Sequence, residues 1–209
     1  MPSRKDTFEN GHYYHVYNKT IDDRAVFLDP RLSNIFLQTM EFYLYNVQAI
    51  SFSTFRRMAL NEKLIHKDKF FKYPIVKLVA YTLMPNHYHF LLRQQCDNGI
   101  QTFMSKLINS FTRYFNNLIQ RKGPLFLTQF NSVQILTQNQ LIYTSRYIHL
   151  NPVKARLCAN VELLKHYKWT SYLEYMGMRS TDYVSPEYIM VYFKHNPLEY
   201  LEYLRLKKS

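Results

Sequence analysis

Glycine is scarce in this chain, 4 in 209 residues, and no G-x-G-x-x-G or Walker-type loop occurs. A phosphate cradle of the dinucleotide-binding or P-loop kind is therefore not expected. Cys96 and Cys158 are the only cysteines, too few for a disulfide framework or a zinc cluster. No run of 18 apolar residues exists, so no membrane-spanning helix is expected. The first 20 residues are polar and aromatic, which gives no sign of a secretory signal; the expected location is a reducing cytoplasm. Acidic residues are also in short supply. Asp and Glu total 15 against 27 Lys and Arg, a net charge of +12.

Apolar residues make up 47% and charged residues 20%, so the chain is globular and long enough to bury a core. Its length fits one domain with appendages. The basic surplus points to a polyanion partner, most often nucleic acid. With 19 Tyr and 15 Phe, aromatic faces beside cations suit unstacked bases of single strands. A tyrosine-rich core beneath a solubilising basic surface explains the same composition.

Residues 12–18 are aromatic and β-branched and read as a first strand. From Pro30 to about Ile50, apolar residues recur at spacings of three and four, which predicts an amphipathic helix. Residues 51–73 interleave Lys and Arg with Phe, and read as a helix extension followed by a basic loop. Residues 75–83 and 87–93 form a hairpin around Pro85-Asn86. A helix over 100–120 carries Phe103, Met104, Leu107, Phe111, Tyr114, Phe115 and Leu118 as one stripe. Residues 131–136 can form a last strand. Thr137-x-x-Gln140 opens a further helix to about His149, ended by Asn151-Pro152. This order predicts an α+β fold: a ferredoxin-like βαββαβ antiparallel sheet with helices on one face, plus an extra helix. Residues 159–209 read as an extension with two short helices, one capped by Ser185-Pro186-Glu187, and a basic end. The expected division is 1–158, with 51–73 as a basic insertion, and 159–209 packed on it.

Two constellations carry chemistry. In His87-Tyr88-His89 on a strand, both imidazoles point to one face and Tyr88 to the other. Two such histidines can hold one divalent ion; a hydrogen-bonded surface pair is the plainer reading. In Tyr147-Ile148-His149-Leu150-Asn151, the first and last residues share a helix face. A phenol and an amide oxygen there suit a nucleophile and a metal ligand, and equally a core tyrosine and a C-capping asparagine. Tyrosine needs a base or a metal's field to act as a nucleophile.

Taken together, the segments resemble a known family. Tyr81-x-x-Met84-Pro85-Asn86-His87-Tyr88-His89-Phe90-Leu91-Leu92 resembles the M-P-N-H-x-H-L-L segment of IS200-like (Y1) transposases, including their REP-associated branch. Arg146-Tyr147-Ile148-His149-Leu150-Asn151-Pro152-Val153-Lys154-Ala155 is similar to that family's R-Y-I-x-x-N-P-V-x-A signature. Tyr14-His15-Val16-Tyr17-Asn18, Ser110-Phe111-Thr112-Arg113-Tyr114-Phe115-Asn116, Gly123-Pro124-Leu125-Phe126 and Tyr167-Lys168-Trp169-Thr170-Ser171-Tyr172 resemble its other segments in the same order, over roughly residues 12–175. The chain departs from the pattern at Gln129-Phe130, where an Arg is common, at Arg156, where a Gly is usual, and at Phe111, where a Tyr is common.

The resemblance implies a single-strand HUH endonuclease. His87 and His89 would bind Mg²⁺ or Mn²⁺ with Asn151 as third ligand, and Tyr147, on the extra helix, would be the nucleophile. Single-stranded or hairpin DNA would be the partner, the protein a monomer or homodimer, and its place the nucleoid. Tyr114 and Tyr143 are rival nucleophiles. Lys106, Arg113, Arg121, Lys122, Lys154 and Arg156 are candidate phosphate contacts. The alternatives are a non-catalytic nucleic-acid-binding protein of the same fold and a nuclease that uses water.

Overall fold

A computed structural model describes residues 7–45 and 50–206. In chain order its elements are β1 (Tyr13–Lys19), α1 (Pro30–Tyr43), α2 (Phe52–Arg57), α3 (Leu60–Phe70), β2 (Val76–Met84), β3 (His87–Gln94), α4 (Gly99–Leu118), β4 (Asn131–Ile135), α5 (Gln138–Lys154), α6 (Tyr172–Tyr175), α7 (Glu187–Met190) and α8 (Pro197–Arg205). The strands pair antiparallel in the order β2-β3-β1-β4. This is the split βαβ arrangement that the element order predicts. Among the described residues no helix is long and apolar enough to cross a membrane.

The two faces of the sheet bury different helices. α1 and α4 cover one, where Phe36, Met40, Phe103, Leu107 and Phe111 pack on Val16, Tyr88, Phe90 and Leu92. α5 crosses the other, where Ile148 and Leu150 share a core with Val79, Ala80 and Leu91. Strand alternation sends Tyr88 and Phe90 to the first face and His87 and His89 to the second. A bulge between Leu78 and Ala80 puts Val79 and Ala80 under α5 together. Beyond it, Tyr81 and Leu83 join the first core, and Thr82 pairs with His89.

Several elements differ from their sequence expectations. Residues 51–73 hold two helices rather than an extension and a loop. Ser51 accepts from the Thr54 amide to cap α2, and Phe52 and Phe55 are buried against Phe42. α1 ends at Tyr43, and residues 46–49 lie outside the described part. Leu118, expected in the α4 stripe, is 53% exposed. Ser185 is no cap: its amide donates to the Leu78 carbonyl, and Pro186 begins α7 without a side-chain cap bond. The C-terminal segment has three short α-helices, not two. Arg205 is paired with Glu162 and Glu202, while residues 207–209 lie outside the described part.

The largest difference is at the end of α5, which passes through Asn151 and Pro152 to Lys154. Proline has no N–H for the Ile148 carbonyl. The Asn151 amide nitrogen faces that carbonyl at 3.5 Å and donates to the Tyr147 carbonyl at 2.8 Å. The helix then closes in a Schellman turn: the Leu157 amide donates to Pro152 O and the Arg156 amide to Val153 O. Arg156 therefore has φ +58°, the left-handed conformation that favours glycine.

Candidate active site

The polar residues on the α5 side gather at one end of the sheet. Register places Tyr17 opposite His89 and Lys19 opposite His87. His15, two residues before Tyr17, points to the same face. Its Nε2 lies 3.0 Å from His89 Nδ1. Tyr147, half-buried on α5, meets His89 and His15 edge-on, with ring centroids 5.6 Å from each. The Lys154 ammonium lies over the Tyr147 ring at 4.2 Å.

Burial governs the charge state of these imidazoles. It pushes the His89 pKa down to about 3, helped by His15, His87 and Lys154, and that of His15 to about 4. His87, half-buried, is also lowered, first by burial and then by Lys19, with Asp23 opposing. All three rings are neutral near pH 7, the form that ligates a metal.

Hydrogen bonds fix which nitrogen of His87 is free. The Asn86 amide nitrogen donates to Asp23 Oδ1 at 3.1 Å, which leaves Asn86 Oδ1 to accept from His87 Nδ1 at 2.7 Å. The His87 Nε2 lone pair is then available. Asp23 is brought there by a strained loop in which Asp22 and Asp23 have φ of 57° and 50°. For His89, Nδ1 donating to His15 Nε2 leaves Nε2 equally available; the opposite tautomer would close it. Asn151 uses its amide nitrogen on the helix, so its oxygen is not committed to that contact.

Among the described residues no cluster of three His, Cys, Asp or Glu is arranged to hold an ion. A metal here rests on two imidazole nitrogens and the Asn151 oxygen. The donor set fits: two neutral nitrogens with partners behind them, and a neutral oxygen, suit a hard-to-intermediate divalent ion such as Mg²⁺ or Mn²⁺ with water completing its shell.

The fold thus brings His87, His89 and Tyr147 to one place, with Asn151 one turn after Tyr147. Lys154 joins them, and exposed Arg156 follows beyond the end of α5. Lys106, Arg113, Arg121 and Lys122 do not: they belong to α4 and the turn after it, across the sheet. Tyr114 is on α4 too, beneath the Arg56 guanidinium at 4.9 Å. Tyr143 is a turn earlier on α5 and 38% exposed. The sequence reading missed His15, Tyr17 and the Asp23–Asn86 pair. Alternation along Tyr13–Lys19 carries the first two onto the site face; the third depends on a loop with no readable period.

Two histidines on an inner strand and a tyrosine on the helix across it thus stand at one polar end of the antiparallel sheet. Residues 66–151 match the family model described as "Transposase IS200 like". The match spans His87, His89, Tyr147 and Asn151 and begins after β1. Among solved structures, the fold is similar to that of a REP-associated tyrosine transposase bound to a REP hairpin. The TM-score is 0.57 at 11% identity, over 88% of this chain and 98% of that one. A candidate transposase from Deinococcus radiodurans R1 aligns with a TM-score of 0.39 at 14% identity, over 71% of this chain and 95% of that one. No curated protein matches.

Proposed function

We propose that the protein is a metal-dependent transposase that nicks and joins single-stranded DNA through a 5′-phosphotyrosine at Tyr147, acting at hairpin-forming DNA. The observation that carries this reading is the contact of Tyr147 with His89 and His15 on the polar face of the sheet. His87, His89 and Asn151 would hold Mg²⁺ or Mn²⁺, which would supply Lewis-acid stabilisation of charge on the scissile phosphate. The Tyr147 phenol releases its proton to solvent and its oxygen attacks phosphorus. A phosphorus–oxygen bond to tyrosine forms, the bond to the 3′ oxygen breaks, and that oxygen takes up a proton. Rejoining is the reverse attack by a 3′-hydroxyl, so no ATP is needed. Lys154, stacked on the Tyr147 ring, brings a cation to the incoming phosphodiester. The fold shared with a hairpin-bound REP-associated tyrosine transposase agrees with hairpin DNA as substrate.

The test is incubation of labelled single-stranded hairpin DNA with the protein and Mn²⁺, followed by denaturing electrophoresis. A covalent adduct is expected from the parent and none from Tyr147→Phe, whose ring still packs. Cleavage without adduct in both proteins would instead mean that water is the nucleophile. Binding with no cleavage in either would mean a non-catalytic protein.

A further inference from the structure

Helices α2 and α3 belong to the 51–73 segment, which adds no strand to the sheet. They pack beside α1 on the face opposite α5, where the Phe42 ring lies 5.7 Å from Phe52 and 5.0 Å from Phe55. The three helices surround a groove of about 300 Å³. Its floor is made by Phe42, Phe52, Phe55 and Phe71. Its outer wall is α3, which turns Leu60, Lys63, Leu64 and Lys67 towards it, the spacing of one helix face. Leu60 and Leu64 are 74% and 60% exposed. A single exposed leucine is ordinary. Two of them one turn apart, bordering an aromatic floor, make a continuous apolar strip.

The rim of this strip is cationic. Arg56, Lys63 and Lys67 line it against one carboxylate, Glu41, which is already paired with Lys67. The acidic residues of α3 are engaged elsewhere: Glu62 accepts from the Ala59 amide and Asp68 faces Lys72. Lys63 has no carboxylate partner among the described residues.

We propose that this groove docks an acidic amphipathic helix of a partner protein, on the opposite side of the sheet from Tyr147. The walls are helices whose backbone groups bond within themselves, so the groove offers no strand edge to pair with; an apolar helix face laid into it is the mode that fits. Leu60 to Lys67 spans about 10 Å, two helical turns. The partner therefore presents large apolar residues at i, i+4 and i+7, with Asp or Glu beside them to meet Lys63 and Arg56. An unpaired nucleobase fits less well, because it needs an open ring face. The Phe42 ring is packed by Phe52 and Phe55, and Phe71 is stacked on Tyr45 at 4.6 Å with the Lys67 ammonium over its ring at 5.5 Å.

The test is fluorescence anisotropy with a labelled synthetic helix carrying leucine at i, i+4 and i+7 and glutamate on its flanks, and with a shuffled peptide of the same composition. It does not depend on the chemistry proposed for Tyr147. The striped peptide should bind at least tenfold more tightly than the shuffled one. Leu60→Ser/Leu64→Ser should lower its affinity at least tenfold, since two leucines lose their burial against the peptide. Lys63→Glu should weaken it about fivefold and strengthen a peptide with lysine flanks by a similar factor, an exchange that damage to the fold would not produce. Equal binding of striped and shuffled peptides, or unchanged affinity in Leu60→Ser/Leu64→Ser, would overturn the proposal. So would a loss of affinity for unstructured single-stranded DNA in that variant matching its loss for the peptide. A dimer of the free protein in sedimentation that the same variant dissolves would assign the groove to a second copy instead, and would equally overturn it.

Discussion

The two faces of the sheet are made from the same strands and behave as different materials. On β3, Tyr88, Phe90 and Leu92 face α1 and α4 and are fully buried in an aromatic core. Their neighbours His87 and His89 face α5 and join His15, Tyr17 and Tyr147 in a polar cluster. The first face is filled mainly by aromatic and aliphatic side chains. The second buries imidazoles, and each one is tied by a specific hydrogen bond. A change on the first face should appear as lost stability, and a change on the second as lost chemistry.

Adjacent residues give the sharpest contrast. Phe90→Ala should cost about 3–5 kcal/mol of stability by leaving a cavity between the sheet and α4. His89→Ala should lower cleavage by about a thousandfold, the order expected when charge stabilisation at a reacting phosphate is removed. Its unfolding midpoint should shift much less than that of Phe90→Ala. Denaturant unfolding and single-turnover cleavage check both, and reversed outcomes would erase the distinction between the faces.

Next is the support behind His89. His15→Ala should weaken Mn²⁺ binding about 10–100-fold, as loss of a partner behind a metal-bound imidazole generally does. His15→Gln, whose amide oxygen accepts from His89 Nδ1, should recover most of it. Calorimetric titration decides; equal affinity in parent and both variants would make His15 a bystander.

A smaller effect concerns His149, buried on α5 between the Tyr200 and Ser171 hydroxyls at 2.8 Å each. Burial pushes its pKa down to about 3. In the unfolded chain it takes a proton near ~6.5. The unfolded state therefore binds more protons between these values. Stability should be constant above that window and fall, on His149's account, by up to about 1.4 kcal/mol per pH unit within it. His149→Gln should show a shallower decline between pH 6 and pH 4, and an unchanged slope would mean that the acid sensitivity arises elsewhere.

The smallest effect belongs to the turn after α5. Arg156→Gly removes a side chain from a left-handed position and should stabilise by about 0.5–1 kcal/mol, the strain relieved less the added entropy of the unfolded chain. A thermal midpoint below that of the parent would show that the Arg156 side chain contributes more than its backbone costs.

Much of this was legible because it depends on period. Alternation alone separates His87 and His89 from Tyr88, and the element order predicts the sheet order. The capping box of Thr137 and Gln140 is formed as the spacing predicts. What stayed hidden depends on tertiary partners. The continuation of α5 past Pro152 requires the Asn151 side chain to serve the helix's own carbonyls. The helices of 51–73 are set by burial of Phe52 and Phe55, and their mixed composition has no clear stripe. His15 was placed in a strand without a role, because its hydrogen bond to His89 spans 74 residues of sequence.

The central claim is that the tyrosine on α5, and no other tyrosine near the histidines, is the nucleophile. Tyr17 is the nearest competitor, with its ring centroid 5.7 Å from His89 against 5.6 Å for Tyr147. The most direct measurement is mass spectrometry of the proteolysed DNA adduct formed in Mn²⁺. The account predicts the nucleotide mass on Tyr147, in the segment between Arg146 and Lys154. A nucleotide on Tyr17, Tyr143 or Tyr114 would contradict it.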